Sequence, residues 1–175
     1  MATIKRIGFG QLEPNHLSGQ RTGQIYAQLI ADSDLDIIEN GMFLKYDYEN
    51  RKAVADASVE GEWLLVYNEE KLYDPRKQGH RHFAQVKTDF VDGEIVPRLY
   101  KTNIGDIFTT NTLEANTSDS AETTGVSVAV GNILVVGTDG YLEVAGQSPV
   151  GPQFKVVALT IMPDGQDAVK VQRIA

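Results

Sequence analysis

The chain has 175 residues, with 16 basic and 24 acidic side chains, a formal net charge of −8 and no cysteine. That length fits one domain, or one domain with an arm, and is enough to bury about 70% of the unfolded surface in an unassisted core. Without cysteine, disulfides, thiolate metal sites and a cysteine nucleophile are excluded. Residues 1–31 hold Lys5, Arg6 and Arg21 against Glu13, a net of +2, and the remainder is net −10 with no lysine or arginine between Lys101 and Lys155. An acidic body without a basic stripe argues against nucleic acid as a partner.

Residues 1–31 read as an N-terminal arm. No apolar run follows Lys5-Arg6, so no signal peptide is expected, and no stretch approaches a membrane span. Folding in a reducing cytoplasm and no membrane partner are the expectations. Gly8, Gly10, Gly19 and Gly23 punctuate polar residues and Pro14, and the apolar residues never settle into a period. Such a segment buries little by itself, so residues 1–24 are either disordered or ordered by a partner, and deleting them is expected to leave the body folded. Residues 24–31 are a strand or one helical turn entering the body.

Residues 32–175 read as a β-rich body, with residues 32–101 and 102–175 as possible subdomains. Asp32-Ser33-Asp34-Leu35-Asp36 places carboxylates at alternate positions, but Ile37 and Phe43 stand where a calcium loop needs glycine and glutamate. A polar turn is the better account. Asn40-Gly41 is a tight-turn signal, followed by a strand alternating Phe43, Lys45 and Asp47 with Leu44, Tyr46 and Tyr48. Residues 49–52 make a second polar turn. Glu62-Trp63-Leu64-Leu65-Val66-Tyr67-Asn68 is the most apolar short run of this half, a central strand with Trp63 as core anchor.

The polar connection 69–87 holds the one dense basic cluster, Arg76, Lys77 and Arg81, with His80 and His82 among it. The two histidines would share a face on a strand, but no third or fourth ligand supports a metal. Asp92-Gly93 marks a short hairpin, residues 101–111 a further strand, and 111–125 a Ser/Thr/Asn/Ala-rich loop. Val126, Val128 and Val130 alternate with small residues. Two strand–turn–strand units follow, residues 132–145 around Thr138-Asp139-Gly140 and residues 154–174 around Pro163-Asp164-Gly165-Gln166. The fold class is therefore mainly β: a compact sandwich or barrel-like body with an extended N-terminal arm and long loops.

No phosphate loop, dinucleotide turn, nucleophile elbow or zinc-protease helix occurs. No cofactor is expected, and the tip Thr138-Asp139-Gly140 lacks the lysine that a lipoyl-type barrel modifies. Carboxylates are plentiful, so a β-rich hydrolase acting on glycans through two of them is the low-ranked alternative.

Four phrases, in order, resemble the small proteins that decorate or cement the capsids of tailed bacteriophages. They are residues 38–46 (Ile38-Glu39-Asn40-Gly41-Met42-Phe43), residues 62–74 (from Glu62-Trp63-Leu64-Leu65-Val66-Tyr67), residues 97–111 (Pro97-Arg98-Leu99-Tyr100 into Ile104-Gly105-Asp106-Ile107-Phe108) and residues 130–174, together spanning about 37–175. Each phrase is mostly turn grammar between strands; their order carries the resemblance. It implies a non-enzymatic virion protein on the capsid exterior, bound to the major capsid protein and stabilising the shell, as a homo-oligomer with a trimer favoured. Another virion component, a head-fibre base or a tail module, is the first alternative. The arm's Lys5, Arg6 and Arg21 and the loop's Arg76, Lys77 and Arg81 are the candidate capsid contacts, as cations facing an acidic shell.

Overall fold

The computed structural model describes residues 2–6, 8–13, 25–68, 84–90, 94–114 and 126–175. The first strands in chain order are β1 (Ala2–Ile4), β2 (Leu12–Glu13), β3 (Ile25–Tyr26), β4 (Ile30–Ala31), β5 (Ile37–Glu39), β6 (Phe43–Asp47), β7 (Lys52–Val54) and β8 (Leu64–Val66). They continue as β9 (Ala84–Val86), β10 (Leu99–Tyr100), β11 (Ile107–Thr110), β12 (Val126–Val128), β13 (Ile133–Val136), β14 (Leu142–Val144), β15 (Gln153–Ile161) and β16 (Asp167–Arg173). Among the described residues there is no α-helix, as the composition of the runs predicts. Two six-stranded sheets dominate, ordered β3-β10-β8-β6-β7-β4 and β14-β13-β15-β16-β11-β2. Both are open, so the body is sandwich-like and not a closed barrel.

Alternation along β6 and β8 divides the interior into two apolar clusters. Phe43 with Trp63, Leu65 and Tyr67 faces the second sheet, meeting Phe108, Leu134, Phe154, Val156 and Val171. Leu44, Tyr46, Leu64 and Val66 face the other way, packing with Ile38, Met42, Ile95 and Leu99. β8 is thus buried on both faces, which is why its sequence is an unbroken apolar run. Three rings mark the centre of the sandwich, with centroids of Phe43 and Phe154 at 5.2 Å, Phe108 and Phe154 at 5.4 Å, and Phe43 and Phe108 at 6.2 Å. Each fully buried ring contributes about 1.5–3 kcal/mol through burial alone.

Turn chemistry sets the corners. The Asp32 carboxylate accepts from the Asp34 N–H, and the Asp47 carboxylate accepts from Glu49 and Asn50 N–H, so both polar turns form where they are expected. Asn40-Gly41 also turns, but it does not close a hairpin: β5 pairs with β9 while β6 pairs with β7 and β8. Residues 25–31 form two short strands separated by a bend, β3 at one edge of the first sheet and β4 in parallel register with β7; residue 24 lies outside the described residues. Both C-terminal units form as read, β13–β14 and β15–β16, the second with a register shift between Val156 and Ala158. The Asp92-Gly93 hairpin lies outside the described residues.

The N-terminal segment is extended, as expected, but it is stitched into the body. β1 pairs with β12, and β2 pairs with β11 at the edge of the second sheet. Ile4 and Leu12 are buried in the central cluster beside Leu113 and Val128. Deleting residues 1–24 would therefore remove two strands and two core side chains, so the expectation that the body is indifferent to this segment is corrected. Single apolar residues spaced eight apart give no period to read, yet each fills one hole in the core.

Candidate functional site

Of the six cations proposed to face a partner, Arg21, Arg76, Lys77 and Arg81 lie outside the described residues, as do His80 and His82. Lys5 is exposed, next to β1. Arg6 is not: its side chain is 3% exposed and its guanidinium lies 2.8 Å from the Glu39 carboxylate, itself 3% exposed. A buried guanidinium already paired cannot contact a shell, so Arg6 is removed from the candidate set. Among the described residues no group of three or more His, Asp or Glu side chains is placed to hold a metal.

Arg6 belongs to a buried polar junction where four segments meet. Glu39, at the end of β5, accepts from Arg6 through Oε2 and from the Gly10 N–H through Oε1, each at 2.8 Å. Tyr141 completes the cluster, its ring 5.9 Å from the Arg6 guanidinium. Burial, then the neighbouring Glu39 carboxylate, pushes the Tyr141 hydroxyl far above its ordinary value, so it stays protonated and can act as a donor. Alongside, Gln11 N–H donates to Asn111 Oδ1 at 2.9 Å, Thr110 Oγ1 donates to Gln11 O at 2.7 Å, and Thr112 Oγ1 donates to Asn40 O at 2.8 Å. Residues 111–113, read as the start of a loop, are fully buried because their polar groups are spent on these bonds. The arrangement is a latch for the N-terminal segment. Arg6, Gln11, Glu39, Asn40, Asn111 and Thr112 are all buried in it.

A second group of charges lines an open cleft of about 600 Å³ beside Trp63, Val135 and the 149–152 loop. Lys45 Nζ sits 4.7 Å from the Trp63 ring centroid and donates to Ala57 O and Val59 O at 3.0 and 2.7 Å. Burial lowers its pKa, partly offset by Asp56. Arg173 bonds Glu62 at 3.1 Å and also Thr102 O, while Lys101 pairs with the other Glu62 oxygen at 2.9 Å. Lys45 and Arg173 therefore tie loops to strands, and none of these contacts aligns a nucleophile with a base.

Glu114 and Glu143 form the pair most relevant to the hydrolase alternative. The hydrogen bond that protonated Glu114 donates to Glu143, then burial and the charges of Glu143 and Asp139, push the Glu114 carboxyl up from 4.5 to about 7. A glycosidase pair keeps its carboxyls about 5 Å or more apart to admit substrate or water, whereas these two are in hydrogen-bonding contact. Glu114 holds the proton of that contact. Because the folded pKa is raised, the stabilisation from this contact is complete below pH 4.5 and is lost as pH rises through about 7. Carboxyl NMR is expected to show Glu114 titrating near 7, returning towards 4.5 in Glu143→Gln. Ordinary titration in the unaltered chain would show that the contact is not made.

The chain matches no protein-family model, no curated protein and no solved structure.

Proposed function

We propose that this chain is a structural virion protein that binds the outer surface of a capsid shell and stabilises it. The observation that carries this reading is how the described interior charges are used. Arg6, Lys45 and Arg173 are each committed to holding one segment against another, at three separate places among the described residues. Bracing of this kind suits a module that must resist mechanical load while copies repeat over a surface. The resemblance of the ordered phrases to capsid decoration proteins and the acidic body support the same reading. Attachment is assigned to Lys5, which is exposed, and to Arg21, Arg76, Lys77 and Arg81.

The test is cosedimentation with purified empty shells of the cognate tailed phage, followed by thermal melting of the decorated shells. Saturable binding and a raised shell melting temperature are expected. Lys5→Glu is expected to weaken attachment about two- to fivefold per site, more at low salt, in keeping with a rim charge. A protein that never associates with shells would sink the proposal. Cryo-microscopy of particles showing the chain confined to a tail or a head fibre would favour the other virion roles.

A further inference from the structure

The C-terminal hairpin carries a strand edge that no described residue covers. β13 accompanies β15 from Gln153 to Lys155, and two further bonds, Gly131 N–H to Val156 O and Val156 N–H to Asn132 O, end the contact. Beyond Val156, residues 157–161 are paired among the described residues on their β16 side alone. Met162 N–H donates to Gln166 O at 2.8 Å, so the antiparallel alternation turns the N–H and C=O of Ile161 and Leu159 away from β16. Side chains on this stretch are apolar and accessible, Val157 and Leu159 each 37% exposed and Ile161 67%. Edges are ordinarily blunted by charges, bulges or proline. Here the bulge lies between Val156 and Ala158 and Lys155 stands before it, leaving residues 158–161 regular and unguarded.

We propose that this edge is a self-association surface: two copies pair residues 157–161 antiparallel about a two-fold axis at Leu159, continuing the second sheet from one molecule into the next. Self-complementarity selects a second copy as the occupant. Rotation about Leu159 sets Val157 against Ile161 of the other copy, apolar against apolar. β13 fills the edge as far as Val156, and the other copy's chain turns away after Met162, so the contact is confined to residues 157–161. The axis itself places the outward N–H and C=O of Leu159 opposite their own counterparts, giving a reciprocal pair of backbone bonds. A contact of five residues a side is small, so it is weak in dilute solution and gains force where copies are held at high local density. The inference does not depend on what the chain attaches to.

Sedimentation from micromolar to near-millimolar protein tests it. The mass is expected to rise from 19.2 kDa towards twice that value, with Leu159 and Ile161 amide exchange slowing in step. Leu159→Pro removes an outward N–H and leaves the bonds to β16 intact, so it is expected to stay monomeric with an unaltered circular dichroism spectrum. Should that variant unfold, Ile161→Lys must abolish the association instead. A wild-type monomer at the highest concentration, or a dimer or trimer that survives both edge variants, would overturn the proposal.

Discussion

Replacing Arg6 with methionine is expected to cost about 3–5 kcal/mol of stability, the loss typical when one partner of a buried ion pair is removed. For a chain of this size that is a fall in melting temperature of roughly 10–15 °C. The cost arises from what stays behind. Glu39 is 3% exposed and would keep the Gly10 N–H and Tyr141 as partners, but its charge would lose the one cation that pairs with it among the described residues. Methionine fills the same volume, so packing loss is small and the effect reports the charge. Urea denaturation of Arg6→Met, Glu39→Gln and the double variant measures the coupling, expected at about 2 kcal/mol, with the double variant more stable than Arg6→Met. If Arg6 instead reached solvent as a surface cation, the single substitution would change stability by no more than about 0.5 kcal/mol.

This pair also shows why part of the fold is legible in sequence and part is not. The two C-terminal hairpins were readable because their information is local: β-branched alternation, then Asp-Gly, within a few residues. β8 was readable because burial on both faces leaves an unbroken apolar run. β1 and β2 were not, since Ala2 pairs with Val128 and Leu12 with Thr110, partners roughly a hundred residues away. Arg6 was read as exposed on the ordinary preference of arginine for the surface. Its partner stands 33 residues on, in a strand whose own pairing, with β9, spans residues 40–83.

The candidate site was less legible still, and for a related reason. Clusters of cations in sequence say which segments are basic, not which cations are free. Lys45 and Arg173 lie in alternating strands where a charged residue reads as solvent-facing, yet Lys45 turns inward beneath Trp63 and Arg173 reaches Glu62 across a separation of 111 residues. What could have flagged Lys45 is its position: it shares the face of Phe43, two residues before it, and that face is core. A lysine in that register must either break the pattern or find acceptors, and the carbonyls of Ala57 and Val59 are those acceptors.

Gly140→Ala is expected to be the most damaging single-methyl change in the chain, and Gly165→Ala its matched control. Both glycines close Asp-Gly turns of the C-terminal hairpins, with φ of +79° and +83°. Any residue with a Cβ pays about 1–2 kcal/mol to sit in that left-handed region. At Gly165 the cost ends there, because a methyl group would meet nothing within 4 Å. At Gly140 the same methyl would lie 2.3 Å from the Phe43 carbonyl oxygen, a backbone atom that cannot rotate away. Phe43 N–H in turn donates to Gly140 O at 2.7 Å, so the turn and β6 touch backbone to backbone and join the two sheets. Relieving the clash means separating them, which weakens that bond and shifts Phe43 off Phe108 and Phe154. Strain, overpacking and the lost hydrogen bond together come to about 4 kcal/mol or more for Gly140→Ala. Thermal and urea melts of the two variants side by side measure the difference. Equal losses would mean that Asp139-Gly140 is a simple hairpin turn, and that the sheets are held together without it.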